Sequence, residues 1–140
     1  ANSLIVGGLK MGMKVSCACP ENYHPAKVVL DFAAAYGDNF TLTDKPEEAA
    51  VGADVMVTDV WASMGQESER EQRMAAFKGY QVNDGIMALA SPNCIVQHCL
   101  PAHKGEEISY EVFEAHAKEI FDEAENRLHA QKAVLVKLLG

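Results

Sequence analysis

The stretch Val55-Met-Val-Thr58, followed at once by Asp59-Val-Trp-Ala-Ser-Met-Gly-Gln-Glu67, decides the predicted fold of this chain. Its first four residues are typical of a strand, and the polar residues behind them indicate a loop at the strand's carboxyl end. The same arrangement recurs where Ile95-Val-Gln97 leads into His98-Cys-Leu-Pro-Ala-His103. In an α/β sheet, ligands bind in the crevice outside the carboxyl ends of the strands. We therefore expect both loops to face one crevice and to bring a carboxylate, a hydroxyl and a thiol together.

Strand and helix signals alternate along the rest of the chain. This alternation predicts a Rossmann-like α/β fold, a parallel sheet with helices on both faces. Two earlier strands are predicted at Lys14–Cys19, which we expect to be buried, and at Phe40–Thr43. Helices are predicted at Asn2–Met11 with Gly12 as the C-cap, from Pro25 to Gly37, after an Asp44–Glu47 capping box, over Glu69–Lys78, around Asp84–Leu89, and from about Glu123 to Leu139.

The apolar residues of these helices recur at helical spacing and predict which side of each helix meets the core. The inward-facing residues are expected to be Leu4, Ile5, Gly8 and Leu9 in the first helix, Val28, Val29, Phe32, Ala33 and Tyr36 in the second, Met74 and Phe77 in the charged helix, and Ala124, Leu128, Leu135 and Leu138 in the last. The segment from His103 to Glu107 is predicted to be a polar loop.

The predicted elements begin with a helix, although a doubly wound sheet grows outward from a central first strand. Without that strand, Cys17 and its neighbours would lose a ladder partner, and each unpaired buried backbone group would cost about 1–3 kcal/mol. We therefore expect a sheet that lacks its first strand. On this reading residues 1–140 are one domain, an excerpt of a longer two-domain polypeptide.

Composition narrows the class of function. Hydrophobic residues make up 49% of the 140 residues and charged residues 23%, which is typical of a globular domain. The net charge of −8 and the scattered basic residues argue against a nucleic-acid partner. No apolar run approaches the roughly 18 residues of a membrane span, so no membrane partner is expected either.

Four cysteines are present, but their spacing suits neither a local disulfide nor a tetrahedral zinc site. We interpret Cys17, Cys19 and Cys94 as reduced core residues of an intracellular protein. The other histidines are too scattered to suggest a metal site, and no cofactor is predicted; they are His24, His103, His116 and His129.

The two loop strings closely resemble the second half of the ornithine carbamoyltransferase family, in which a D-x-x-x-S-M-G string and an H-C-L-P string grip the amino acid. A third string, Phe121-Asp-Glu-Ala-Glu-Asn-Arg-Leu-His-Ala-Gln131, resembles the final helix of the same enzymes. The resemblance implies an ornithine-binding domain. The whole enzyme transfers the carbamoyl group of carbamoyl phosphate to the side-chain amine of L-ornithine and gives citrulline and phosphate, in arginine biosynthesis or breakdown.

For the first loop, the resemblance implies that Asp59, Ser63 and Met64 hold the α-amino and α-carboxylate groups of ornithine. Taken alone, Asp59 and Ser63 are more typical of residues that cap a loop or a helix, and only the full string from Asp59 to Glu67 favours the ligand role. In the second loop it assigns Cys99 and the backbone carbonyl of Leu100 to the side-chain amine, where the thiol positions the nitrogen and takes part in its deprotonation. A lone cysteine after a strand is otherwise usually a small buried apolar residue.

Two further assignments come from the helices at either end of the chain. Asn2 matches an ornithine-binding asparagine, although a simple capping role is the alternative. Arg127 matches a ligand of carbamoyl phosphate, where the alternative is a solvated ion pair. The catalytic candidates are thus Cys99, Asp59 and Arg127. His98 is interpreted as a structural hydrogen-bonding residue and Trp61 as packing for its loop.

The family binds carbamoyl phosphate mainly through an S-x-R-T-R string in a preceding domain, and this sequence contains no such string. The chain is therefore expected to need an N-terminal carbamoyl-phosphate domain and to be inactive alone. The resemblance further implies a homotrimer in the cytoplasm, or in the mitochondrial matrix of a eukaryote. Two alternatives stay open: a sibling carbamoyltransferase acting on putrescine or N-acylated ornithine, and a non-catalytic ornithine-binding module.

Overall fold

The computed structural model describes residues 1–62 and 69–140, and it divides them into two compact units, Ala1–Val51 and Gly52–Gly140. Each unit contains one pair of parallel strands together with the helices that connect and cover them. Parallel strands joined through helices confirm the predicted α/β class. That residues 1–140 form a single domain stays a prediction.

The first unit begins with a helix and ends with a short one. In order, its elements are α1 (Asn2–Lys10), β1 (Val15–Ala18), a 3-10 turn (Glu21–Tyr23), α2 (Lys27–Ala34), a second 3-10 turn (Gly37–Asn39), β2 (Phe40–Thr43) and α3 (Pro46–Ala50). β1 and β2 pair in register from Val15 opposite Phe40 to Ala18 opposite Thr43. The core of this unit is formed by Ile5, Leu9, Val29 and Ala33.

The end of α1 follows directly from its glycines. Gly12 has a φ of +79°, the left-handed conformation that glycine adopts without steric cost. Its N–H donates to the Leu9 carbonyl at 3.1 Å, and the Met13 N–H donates to the Gly8 carbonyl at 2.9 Å. These two bonds define a Schellman motif, in which Met11 is the C-cap and Gly12, the predicted C-cap, is the residue directly after it. Gly8 also lets β1 pack closely, because a Cβ there would lie 2.9 Å from the Val15 side chain.

The second unit carries the two loops on which the functional prediction rests. In order, its elements are β3 (Val55–Thr58), α4 (Arg70–Ala76), α5 (Asp84–Met87), β4 (Ile95–His98), α6 (Tyr110–Ala115) and α7 (Ala117–Leu139). β3 and β4 pair in register from Val55 opposite Ile95 to Thr58 opposite His98. The buried core of this unit is formed by Val82, Val96, Ile108, Val112, Phe113 and Ile120.

The connection between α7 and β4 includes one polar contact as well as apolar packing. Glu119, in the first turn of α7, accepts a hydrogen bond from the Val96 N–H of β4 at 3.0 Å. The same carboxylate oxygen lies 2.8 Å from Nδ1 of His116. One residue further along, Ile120 is fully buried in the core. α7 is thus fixed against β4 by a polar and an apolar side chain in adjacent positions.

Several local predictions were wrong. α3 has no Asp44–Glu47 capping box, because it begins at Pro46 with Lys45 as its N-cap. Proline is well suited to the first helical position, since its missing N–H is not needed there. The Thr43 hydroxyl instead accepts a hydrogen bond from the Lys45 N–H at 3.1 Å. β1 is only partly buried, and its Ser16 is exposed.

The helices after residue 108 also differ from the prediction. α6 was not predicted, and its N-terminus is capped by the Ser109 hydroxyl, which accepts from the Val112 N–H at 3.2 Å. α7 begins at Ala117, six residues before the predicted start at Glu123.

The predicted burial of the helices was only partly correct. Helical spacing identified one side of each helix but not what covers it, so several residues expected in the core are exposed: Leu4, Val28, Ala124, Leu128, Leu135 and Leu138. Met74 and Phe77 are half-buried. Among the described residues, the helices lack the combination of length and apolar character that crossing a bilayer requires.

Candidate functional site

The candidate site lies where β3 and β4 end. Thr58 and His98 are opposite each other in the parallel register, so Asp59 and Cys99 are the next residues of adjacent strands. A carboxylate oxygen of Asp59, Sγ of Cys99 and a ring nitrogen of His98 all lie within 4.8 Å of one another. The predicted meeting of acid and thiol at one strand edge is therefore confirmed. The substrate roles of these residues stay predictions.

The Cys99 thiol is held in its protonated form. Burial of the sulfur raises the pKa of Cys99, and the adjacent Asp59 raises it further, both by accepting the S–H hydrogen bond and by its negative charge. The more distant charge of Glu123 acts in the same direction, and the pKa reaches about 11. Cys99 is therefore a thiol rather than a thiolate near neutral pH, and it donates a hydrogen bond to Asp59.

Asp59 also takes part in shaping its own loop, because its Oδ1 accepts from the Val60 N–H at 2.8 Å. Beside it, the indole of Trp61 stacks on Phe77 with ring centroids 5.9 Å apart. The Trp61 carbonyl accepts from Nη1 of Arg73 at 3.4 Å. The prediction that Trp61 packs the loop is confirmed by these contacts. Ser63 and Met64, the two other predicted ligands from this loop, lie outside the described residues.

Behind the site lies a buried, hydrogen-bonded pair of side chains. The side chains of His98 and Glu107 are both 0% exposed, and Nε2 of His98 lies 2.9 Å from Oε1 of Glu107. Nδ1 of the same ring accepts from the Leu100 N–H at 3.0 Å. Since Nδ1 is an acceptor, Nε2 carries the proton and donates a hydrogen bond to Glu107. His98 is thus the structural hydrogen-bonding residue that its sequence context predicted.

Glu107 is ionised in this buried position. Burial by itself raises the pKa of the carboxyl group. Hydrogen bonds from the His98 ring and from the His103 N–H, the latter at 2.6 Å, outweigh that effect and leave the pKa of Glu107 below its ordinary value. The burial of Glu107 was not predicted, because the residue belongs to a run whose composition is typical of a solvated polar loop.

Leu100 has a conformation that is uncommon for a residue with a side chain. Its φ is +53°, and its bond to Pro101 is cis. The left-handed region costs an L-residue roughly 1–2 kcal/mol, so it persists only where neighbouring contacts hold it. This turn exposes Cys99 while Leu100 packs against the core of the unit.

One side of α7 completes the site. A cleft of about 380 Å³ is lined by Cys99 and by Glu123, Asn126, Arg127 and Ala130, with Ala124 between them. The helical residues follow the spacing i, i+3, i+4 and i+7, which places them on one face. Arg127 therefore lies in the same cleft as Cys99, and it forms no ion pair within the described part of the chain. Glu125 pairs with His129 instead.

Sequence reasoning did not select Glu123 and Asn126 for the site. Oε2 of Glu123 is buried and has no hydrogen-bond partner among residues 1–62 and 69–140. Glu123 precedes Arg127 by four positions, so helical spacing from Arg127 would have identified it as a neighbour, whereas Asn126 is the residue directly before Arg127. Glu123 adds a second carboxylate near the Cys99 thiol.

Asn2 lies in the other unit, at the first position of α1. Its Oδ1 accepts a hydrogen bond from the N–H of Ala26 at 3.1 Å. The helix is preceded by Ala1 as N-cap, without a side-chain capping bond. Asn2 is therefore not the simple capping residue that was the alternative to ligand binding. Its assignment to ornithine stays a prediction.

Two groups of side chains have ligand atoms close enough for a metal ion, and several of these atoms already take part in hydrogen bonds. In the group of Asp59, His98 and Cys99, both ring nitrogens of His98 are engaged in hydrogen bonds. In the group of His103, Glu106 and Glu107, Glu106 pairs with Arg70 and Glu107 pairs with His98. We therefore assign no ion to either group.

A cleft beside the carboxyl ends of parallel strands, lined by a thiol, a carboxylate and an arginine, is the kind of site in which α/β domains bind small molecules. The chain belongs to the aspartate/ornithine carbamoyltransferase family, and the model of that family's Asp/Orn binding domain matches residues 1–138. The membership predicted from three short strings is thereby confirmed.

Individual relatives agree with this assignment. The chain is 51% identical over 143 residues to the ornithine carbamoyltransferase of Synechocystis sp., covering 100% of this chain and 46% of the relative. Among solved structures, the anabolic ornithine carbamoyltransferase of Campylobacter jejuni superposes with a TM-score of 0.92 at 38% identity, covering 98% of this chain and 46% of that one. The enzyme of Pyrococcus furiosus gives 0.86 at 47% identity, over 96% and 44% of the two chains. The chain thus spans about half the length of the relatives that it matches.

Proposed function

We propose that this chain is the ornithine-binding half of an ornithine carbamoyltransferase, which forms citrulline and phosphate from L-ornithine and carbamoyl phosphate. The single observation that carries the proposal is the approach of Asp59 to Cys99 at the ends of β3 and β4, where Cys99 also lines the cleft that contains Arg127. Family membership and the relatives named ornithine carbamoyltransferase support the choice of substrate.

In the proposed reaction, the side-chain amine of ornithine attacks the carbonyl carbon of carbamoyl phosphate. The bond from this carbon to the phosphate oxygen breaks, phosphate leaves, and the attacking nitrogen loses a proton. The amine must be neutral to attack, although a free alkylammonium has a pKa of about 10.4. The site therefore has to hold the α-substituents firmly while it leaves the far nitrogen free to lose its proton.

The residues divide this work by their chemistry. Asp59, an exposed carboxylate at a strand end, holds the α-ammonium of ornithine, and Ser63 and Met64 bind the remaining polar atoms of its α-substituents. Cys99 and the Leu100 carbonyl contact the side-chain amine. Because the pKa of Cys99 is about 11, its thiol first acts as a hydrogen-bonding group that positions the nitrogen. No covalent bond to the enzyme is required, since the substrate amine is the nucleophile.

Arg127 is the proposed contact to carbamoyl phosphate. Its planar guanidinium fits a phosphate or a carbonyl oxygen and stabilises the negative charge that develops as phosphate departs. The proposal also includes an N-terminal carbamoyl-phosphate domain, a homotrimer of the full-length protein and a cytoplasmic location. Catalysis then rests on proximity and electrostatics, with no cofactor.

The test is citrulline formation by the full-length protein. Asp59→Asn and Cys99→Ala should each lower kcat/KM for ornithine at least tenfold and leave the KM for carbamoyl phosphate nearly unchanged, because both residues are assigned to the amino acid. Arg127→Gln should do the reverse and raise the KM for carbamoyl phosphate. Cys17→Ala is the matched control, since this thiol lies in the other unit.

Activity of the Asp59 and Cys99 variants within threefold of wild type would remove both residues from the site. The sibling enzymes are separated by substrate competition in the same assay. Putrescine or N-acetylornithine turning over faster than ornithine would replace the proposed substrate. Ornithine binding in calorimetry without citrulline formation by the full-length protein would indicate a non-catalytic module.

A further inference from the structure

The buried pair of His98 and Glu107 has no role in the reaction proposed above. Both side chains are 0% exposed, and removing two ionisable groups from water carries a large desolvation cost. Such a pair is a weak source of stability compared with apolar residues of the same volume. The hydrogen bonds that the two side chains make to the surrounding backbone give the pair a different role.

Those contacts are to the backbone of the loop that carries Cys99. Nδ1 of His98 accepts from the Leu100 N–H at 3.0 Å, and Oε1 of Glu107 accepts from the His103 N–H at 2.6 Å. The bond between the two side chains, at 2.9 Å, joins these points. Residues 98–103 are thus held near both ends by one connected pair of side chains.

Glu107 also determines which nitrogen of the His98 ring carries the proton. A neutral imidazole carries its proton on one of two nitrogens, and the hydrogen bond made by one nitrogen sets the state of the other. Because the Glu107 carboxylate accepts from Nε2, Nδ1 is left without a proton and becomes the acceptor for Leu100. Without that carboxylate the proton is free to move to Nδ1, which would then repel the Leu100 N–H.

Leu100 needs this acceptor because its φ of +53° lies in the left-handed region, which is unfavourable for an L-residue. A hydrogen bond in a buried setting helps to offset that cost. Loss of the hydrogen bond from the Leu100 N–H to His98 would favour a more common backbone conformation for Leu100. That change would move the Leu100 carbonyl and the adjacent Cys99, the two groups assigned to the amine of ornithine.

We propose that Glu107 and His98 are positioning residues for ornithine, which hold the Cys99–Leu100 turn in the shape that presents the thiol and the carbonyl to the substrate. This inference rests on the function proposed above. It adds two residues that touch neither substrate and act only through the backbone of Leu100 and His103.

The first test uses Glu107 variants of the full-length enzyme. Glu107→Ala should raise the KM for ornithine at least tenfold and leave the KM for carbamoyl phosphate within twofold, because only the turn that faces the amino acid is altered. Glu107→Gln should restore the ornithine KM to within threefold of wild type, since an amide oxygen still accepts from Nε2 of His98 and from the His103 N–H.

The matched control is Ile120→Ala, a fully buried residue in the same unit that contacts neither end of the loop through a hydrogen bond. It should lower the thermal midpoint without changing the ratio of the two KM values. If Ile120→Ala and Glu107→Ala change the ornithine KM equally, the pair is merely structural and the inference is wrong.

A second pair of variants covers the case in which Glu107→Ala does not fold. His98→Asn keeps an oxygen near the position of Nδ1, whereas His98→Leu has a similar size and no acceptor. The ornithine KM of His98→Asn should be at least fivefold lower than that of His98→Leu. Equal values would overturn the inference.

A measurement that does not depend on enzyme turnover distinguishes this inference from the proposed function. Alkylation of Cys99 by iodoacetamide should be at least threefold faster in Glu107→Ala than in wild type or Ile120→Ala, because the turn is released. This result is expected even if the full-length protein forms no citrulline. Unchanged alkylation in an otherwise active enzyme would reject the inference and leave the proposed function intact.

Discussion

The two strand pairs of this chain have the same length and the same parallel pairing, yet their carboxyl ends differ sharply. After β2, the Thr43 hydroxyl donates to Glu48 at 2.9 Å and Nζ of Lys45 reaches the same carboxylate at 2.8 Å, with side chains that are 64% and 56% exposed for Lys45 and Glu48. After β4, the corresponding hydrogen-bonded pair of His98 and Glu107 is fully buried. One network lies in water and the other in the core.

This difference separates two uses of the same interaction. Exposed ion pairs are weakened by solvent and by the entropy of long side chains, so they seldom fix a backbone shape. A buried pair is electrostatically stronger and has few alternative partners, so it specifies one arrangement of the loop around it. The site residues Asp59 and Cys99 follow the strands of the second unit, where such a pair supports the loop.

The largest expected effect comes from replacing the glutamate by alanine in each of the two networks. Glu107→Ala should destabilise the protein by about 3–5 kcal/mol, because His98 and the His103 N–H lose their acceptor in the core. Glu48→Ala, the matched change in the exposed network, should leave the urea midpoint indistinguishable from wild type. Urea unfolding followed by circular dichroism measures both. Similar losses for the two variants would show that burial is not the deciding difference.

The sequence was sufficient to predict the strands and their meeting point. Phe40–Thr43 and Val55–Thr58 have the predicted bounds, because runs of β-branched and apolar residues were bounded by polar ones. The approach of Asp59 to Cys99 was also predictable, since each residue directly follows a strand and parallel strands end at one edge. Local pattern and topology were enough for that part of the site.

The supporting residues were not predictable in the same way. Glu107 follows Lys104, Gly105 and Glu106, a composition typical of a solvated loop, and only the tertiary fold shows that its side chain is buried. Similarly, Leu128 and Leu138 follow a helical apolar pattern but are 65% and 74% exposed. A pattern identifies a side of an element, whereas burial depends on what the rest of the chain places against it.

The next prediction compares thiols of the two units. Burial, followed by the neighbouring Cys17, raises the pKa of Cys19 to about 12, whereas the pKa of Cys99 is raised to about 11 partly by Asp59. Asp59→Asn removes that charge and should lower the pKa of Cys99, so that its alkylation at pH 8 becomes about tenfold faster for each unit of pKa lost.

The readout is mass spectrometry of each cysteine after timed exposure to iodoacetamide. The rate for Cys19 should not change in Asp59→Asn, because its raised pKa has other causes. In wild type the Cys99 rate should rise steeply with pH and level off only near pH 11. A Cys99 rate that is unaffected by Asp59→Asn would mean that the carboxylate does not act on the thiol.

The smallest expected effect concerns Glu119, a half-buried carboxylate that lies between the two extremes. Burial raises its pKa, but hydrogen bonds from the Val96 N–H and His116 outweigh this and lower the pKa below the ordinary 4.5. A carboxyl group with a lowered pKa contributes stability above its unfolded pKa, and the contribution disappears as pH falls through the folded value. Glu119→Gln should therefore cost about 1 kcal/mol at pH 7 and less at pH 3. Urea unfolding at both pH values measures this, and Lys118→Gln is the exposed control in the adjacent position. An equal cost at both pH values would show that the charge of Glu119 is irrelevant and that shape alone holds α7 against β4.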